Sequence, residues 1–216
     1  MLSPNAPEYL ELADGDKEAL KHLVRAAYIL EKINMQIDNP HNLDFKAFLE
    51  KEIENGNEDA KLTKILFDAQ KGINAIDTMS NKINLAKGLV EHLGKGVYPE
   101  DLSKEEFHAI LTKMINEGKI DDVKKILTQR SIVERNGDEL IGIDYIDKFK
   151  EDFAKMADEL DLARETSTNA DFNEYLELQA KALRKADPML DAYADKKWAT
   201  LQDTPLEFTI TRENYE

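Results

Sequence analysis

Apolar residues recur along this chain mostly at helical spacing. Leu20, Leu23, Val24, Ala27 and Leu30 form one stripe, which predicts a long helix from Asp16 to the break at Asn39-Pro40. Phe45, Phe48, Leu49 and Ile53 predict a short amphipathic helix over residues 43–54, closed by Gly56. Leu62, Ile65, Leu66 and Ala69 predict a third over residues 58–71. Past Gly72 the apolar positions Ile76, Met79, Ile83, Leu85, Leu89 and Val90 continue the helical reading over residues 73–93. Ser103 and Glu106 form a capping box, opening a helix that carries Phe107, Ile110, Leu111 and Met114. A short helix follows over residues 120–127, and longer ones over 145–164, 172–185 and from Pro188 to Trp198.

Two stretches alternate with period two instead. Residues 131–134 and 140–143 flank Asn136-Gly137-Asp138, which predicts a β-hairpin at about 131–143. Residues 206–211, Leu-Glu-Phe-Thr-Ile-Thr, alternate after the turn at Asp203-Thr204-Pro205 and predict a terminal strand. The fold class expected is mainly α: a multi-helix domain with one small β-hairpin and a C-terminal strand. Residues 1–15 form an extended lead-in and 16–216 a single helical domain. A lone terminal strand has no partner in its own segment, so the sequence is expected to be a fragment of a longer chain.

Composition narrows the function. The 216 residues are 42% hydrophobic and 34% charged, with 44 acidic against 29 basic residues and a net charge of −15. Such a surface repels phosphate backbones and anionic membranes, so neither nucleic acid nor membrane is an expected partner. No cysteine is present, which excludes disulfides, thiolate metal sites and cysteine nucleophiles. No signal peptide is visible after Met1, and the expected location is soluble, cytoplasmic or secreted with the signal removed.

Candidate chemistry is sparse. His22, His41, His92 and His108 lack the three- or four-residue spacing that aims two imidazoles from one helix face, so no metal site is expected in this chain. Gly94-Lys95-Gly96 lacks the rest of a phosphate loop. The acidic groups Asp121-Asp122, Glu151-Asp152 and Asp158-Glu159-Leu160-Asp161 fit the wet faces of helices. A calcium loop around Gly137 fails because Ile132 and Ile143 fall where oxygen ligands are required.

Several segments together resemble bacterial dipeptidyl peptidase III-like zinc metallopeptidases. They are Gly88-Leu89-Val90, the run from Gly94 through Tyr98-Pro99-Glu100-Asp101-Leu102-Ser103-Lys104-Glu105-Glu106-Phe107, the hairpin at 133–143, and the stretches Asp203-Thr204-Pro205-Leu206-Glu207-Phe208 and Glu213-Asn214-Tyr215-Glu216. The resemblance covers residues 76–216 and implies the non-catalytic N-terminal helical region of such an enzyme, one wall of its peptide-binding cleft. It implies that Glu213 binds the substrate's amino end and that the Tyr215 hydroxyl stabilises the oxyanion. It implies zinc for the full-length protein, held by a His-Glu motif that these residues lack, and a peptide substrate bound together with the missing C-terminal part. The sequence departs from the family at Ile210-Thr211-Arg212, where a glycine and a proline commonly precede the Glu-x-Tyr. The alternative expectation is a complete acidic helical protein–protein interaction domain with no enzymatic activity.

Overall fold

The computed structural model of the protein describes residues 3–89 and 96–210. In chain order its elements are α1 (Pro7–Glu11), α2 (Asp14–Asp38), α3 (Asn42–Glu54), α4 (Glu58–Gln70), β1 (Asn74–Ile76), β2 (Lys82–Asn84), α5 (Lys104–Asn116) and α6 (Ile120–Ile126). These are followed by β3 (Ser131–Asn136), β4 (Glu139–Asp144), α7 (Tyr145–Lys148), α8 (Lys150–Thr166), α9 (Ala170–Leu183) and α10 (Pro188–Trp198). The fold is mainly α with two small antiparallel hairpins. The chain divides into two compact units: Met1–Glu31 with Asp144–Glu216, and Lys32–Ile143.

In the first unit, α8, α9 and α10 pack in sequence and the first part of α2 joins them. Leu23 of α2, Phe153, Met156 and Leu160 of α8, and Phe172 and Leu176 of α9 are the large buried side chains. Burial of each large apolar side chain stabilises the fold by about 1.5–3 kcal/mol. Gly15 sits where α2 meets α8, and a Cβ there would lie 2.3 Å from the Thr166 carbonyl oxygen, so no other residue fits. The long helix expected to start at Asp16 starts at Asp14, and Asp16 is buried inside its first turn. The Asp16 carboxylate accepts from the Thr168 backbone amide at 2.8 Å and the Thr168 hydroxyl at 2.7 Å. The Asn169 side chain caps α9 by accepting from the Phe172 amide, and Asp187 caps α10 by accepting from the Met189 amide. The helix expected over 145–164 is interrupted at Phe149, which separates α7 from α8. Residues 7–11 of the expected extended lead-in form α1, started by Pro7.

In the second unit, Met35, Phe45, Leu49, Ala60, Phe67, Ile73 and Ala86 make one core cluster, and α5, α6, β3 and β4 enclose another around Met114, Ile126 and Leu140. The helix expected over 73–93 is replaced, within its described part, by the β1–β2 hairpin with Ala75 opposite Ile83. Local polar chemistry explains the difference. The Asp77 carboxylate accepts from the backbone amides of Met79 and Asn81, each at 2.8 Å, and from the Asn81 side chain at 2.9 Å. Ser80 takes a left-handed φ of 65°. A side chain that captures the following amides this way competes directly with the helix.

The hairpin expected at 131–143 forms as β3–β4. Gly137 opens its two-residue turn with φ at 64°, while Asn136 belongs to the strand. Gly142 brings β4 against α6: a Cβ there would lie 2.6 Å from the Lys125 carbonyl group. Gly96 approaches the end of α2 in the same way, its amide donating to the Ile37 carbonyl at 2.7 Å.

The terminal strand expected at 206–211 does not form among its described residues, 206–210. The alternation is nonetheless real, since Leu206 and Ile210 are buried while Glu207 and Thr209 are exposed. Period-two burial needs only an apolar surface on one side; a strand also needs a partner ladder.

Candidate functional site

The stretch that leads toward Glu213 and Tyr215 is held by the first unit. Leu206 and Ile210 are its buried contacts, and the Ile210 backbone amide donates to the hydroxyl of Tyr175 on α9. Tyr175 is itself buried beside Phe172, with ring centroids 6.0 Å apart. Burial pushes its hydroxyl well above the ordinary tyrosine range, so it is present as the neutral phenol. The two residues assigned to the substrate, Glu213 and Tyr215, lie outside the described residues. Sequence reasoning did not single out Tyr175 as an anchor, because its partner is far along the chain and leaves no local pattern.

Several of the acidic residues are partnered with cations. Arg184 reaches Asp158 at 2.6 Å and Asp161 at 2.8 Å. Asp121 meets Lys124 at 3.0 Å, and Lys197 bridges Asp171 and Glu174 at 2.7 and 2.6 Å. These exposed pairs form wet helix faces worth little individually. His22 lies 2.6 Å from the Glu159 carboxylate within the first unit, and His41 lies 2.5 Å from Glu100 within the second. His108 is exposed and His92 lies outside the described residues. Among the described residues no group of three or more His, Cys, Asp or Glu could hold a metal ion. Also among them, no helix is long and apolar enough to cross a membrane.

The Tyr98–Phe107 run, which carried much of the resemblance, has a structural task. The Tyr98 ring meets the Phe107 ring edge-on at 5.6 Å. Ser103 accepts from the Glu106 amide at 3.1 Å and the Glu106 carboxylate takes the Ser103 amide, so the expected capping box is complete. Arg135 on β3 then grips Glu106 with two bonds of 2.9 Å and Asp101 with a third at 3.0 Å. This fork holds the Glu106 carboxyl below the usual carboxylate range. The motif therefore ties the start of α5 to the β3–β4 hairpin rather than presenting reactive groups.

The fold matches that of a solved structure, DPP III from Caldithrix abyssi, with a TM-score of 0.75 over 89% of this chain. This chain has a DPP III-like fold. The two sequences are 23% identical, and the match spans 34% of the Caldithrix chain. Dipeptidyl-peptidase III from Corallococcus sp. strain EGB shares the DPP III-like fold at a TM-score of 0.73, with 17% identity over 94% of this chain and 35% of the other. The chain thus spans about a third of the length of the solved DPP III structures it matches. The sequence matches no protein-family model and no curated protein.

Proposed function

We propose that this chain is the N-terminal helical region of a DPP III-like zinc metallopeptidase and forms one wall of its peptide-binding cleft. The observation that carries this reading is the likeness of fold, a TM-score of 0.75 over 89% of the chain. It is supported by the Glu213-Asn214-Tyr215 sequence that follows the anchored Ile210. Glu213 would hold the amino end of a peptide, and the Tyr215 hydroxyl would donate to the oxygen that gains charge as the peptide bond is attacked. In this reading the zinc would be held by a part of the polypeptide other than these residues. By themselves these 216 residues would cleave nothing.

The first test is the coding sequence beyond Glu216, expected to encode a His-Glu-x-x-His or His-Glu-x-x-Gly-His helix and a later glutamate. In that longer protein Tyr215→Phe is expected to lower kcat about 10²–10³-fold, the effect of removing one oxyanion donor. Glu213→Gln is expected to act mainly through KM. A stop codon directly after Glu216, peptidase activity from the 216 residues alone, or an unchanged kcat in Tyr215→Phe would refute the proposal.

A further inference from the structure

Helix α4 carries an apolar stripe that faces outward. Leu62, Ile65 and Leu66, spaced to share one helix face, are 64%, 64% and 51% exposed, while Ala60 and Phe67 of the same helix are buried in the core. The helix is well closed at both ends. The Asn57 side chain accepts from the Ala60 amide at 3.2 Å, and Lys71 turns left-handed and donates its amide to the Phe67 carbonyl. Exposed apolar residues scattered singly are ordinary, whereas a branched-aliphatic stripe on a capped helix marks a surface that meets something.

The surroundings state the chemistry of what covers it. Lys61 pairs with Glu58 at 2.6 Å, and Lys64 with Asp68 at 2.7 Å. The charges beside the stripe therefore balance one another, and the stripe asks for an apolar counterpart. The β1–β2 hairpin, whose β1 packs on α4, adds exposed Ile76 and Met79. A second copy of the chain is a poor candidate, because two bodies of charge −15 repel. The solved chains that share this fold are matched over only 34% and 35% of their length, so about two thirds of each lies outside the match.

We infer that the Leu62–Ile65–Leu66 face of α4 is the seam on which the remaining part of a DPP III-like polypeptide packs. The inference rests on the reading proposed above. The absence of cysteine gives a clean probe. Leu66→Cys and, as a control on α6, Asp121→Cys each place a single thiol for maleimide labelling, in the 216-residue chain and in the polypeptide that continues past Glu216. In the longer polypeptide the thiol at position 66 is expected to label at least about tenfold more slowly than in the shorter chain, because reaction then waits on local opening. The thiol at position 121 is expected to label at one rate in both.

Equal rates at position 66 in the two proteins overturn the inference. So does protection within the shorter chain that grows with concentration, which would assign the face to a second copy. Peptidase activity of the longer protein separates the two claims. An active protein with an unprotected thiol at position 66 overturns the seam alone, and a protected but inactive one supports the seam and overturns the peptidase reading. If no longer polypeptide is encoded, both fall.

Discussion

Asn42 offers the sharpest test of how the second unit is held together. Its side chain is 0% exposed and joins two separate segments: it donates to the Met35 carbonyl at 2.7 Å and accepts from the Ile73 amide at 2.8 Å. Asn42→Ala removes both bonds. The Met35 carbonyl keeps the Asn39 amide at 3.1 Å, so its loss is that of one ordinary hydrogen bond, about 0.5–1.5 kcal/mol. The buried Ile73 amide loses its side-chain partner, and an orphaned donor costs about 1–3 kcal/mol. The expected total is about 2–4 kcal/mol. With a urea dependence of about 2 kcal/mol per molar, the unfolding midpoint falls by roughly 1–2 M. Asn42→Asp preserves the acceptor but turns an oxygen toward the Met35 carbonyl in a dry site, and is expected to destabilise at least as much. Urea unfolding followed by circular dichroism gives the global cost, and exchange of the Ile73 amide gives the local one. A change below about 0.5 kcal/mol, with the Ile73 amide exchanging at the wild-type rate, would refute the reasoning.

Two further perturbations have clear signs. Gly142→Ala places a Cβ 2.6 Å from backbone atoms of Lys125, where no rotamer can relieve it, and is expected to cost about 2–3 kcal/mol in a thermal melt. Gly118→Ala, at φ 82° with open space around it, is expected to cost only about 1 kcal/mol, and equal costs would rule out the close-approach argument. For pH, the Arg135 fork lowers the Glu106 carboxyl from its ordinary 4.5, so its contribution is fully present above 4.5 and is lost as pH falls through the lower folded value. The stability gap between wild type and Glu106→Gln is therefore expected to narrow on acidification below 4.5, and a gap independent of pH would contradict the pairing.

Features whose cause is local were legible in the sequence. The Ser103–Glu106 box, the glycine turn at 137 and the proline start of α10 each depend on neighbours within a few residues, and each formed as expected. Features whose cause is distant were not. Asp16 has the composition of a cap, yet its partner is Thr168, and nothing nearby announces that. Asn42 resembles an ordinary loop residue until Ile73 arrives beside it. The 73–93 stretch misled because Ile76, Met79 and Ile83 have helical spacing, whereas the Asp77 side chain decides the backbone and leaves those three exposed. The stripe on α4 was correctly periodic, but period alone does not say which face turns inward, and Phe67 rather than Leu66 enters the core. For the candidate site, the sequence named Glu213 and Tyr215, which lie beyond the last described residue; the structure adds the anchor at Tyr175 that precedes them.

The pairing of Asp16 with Thr168 joins residues 152 positions apart, and it belongs to a unit built from both ends of the chain. During synthesis the segment Met1–Glu31 emerges ahead of its partners α8 and α9, which follow only after all of Lys32–Ile143 has been made. The inserted unit has every residue of its core in hand by then and is free to condense on the nascent chain. The start of α2 must wait meanwhile with Ala19, Leu23 and Ala26 uncovered. Translation thus sets an inside-out order of assembly, and the interval between the two events is when this polypeptide is most open to chaperones and most exposed to misassembly.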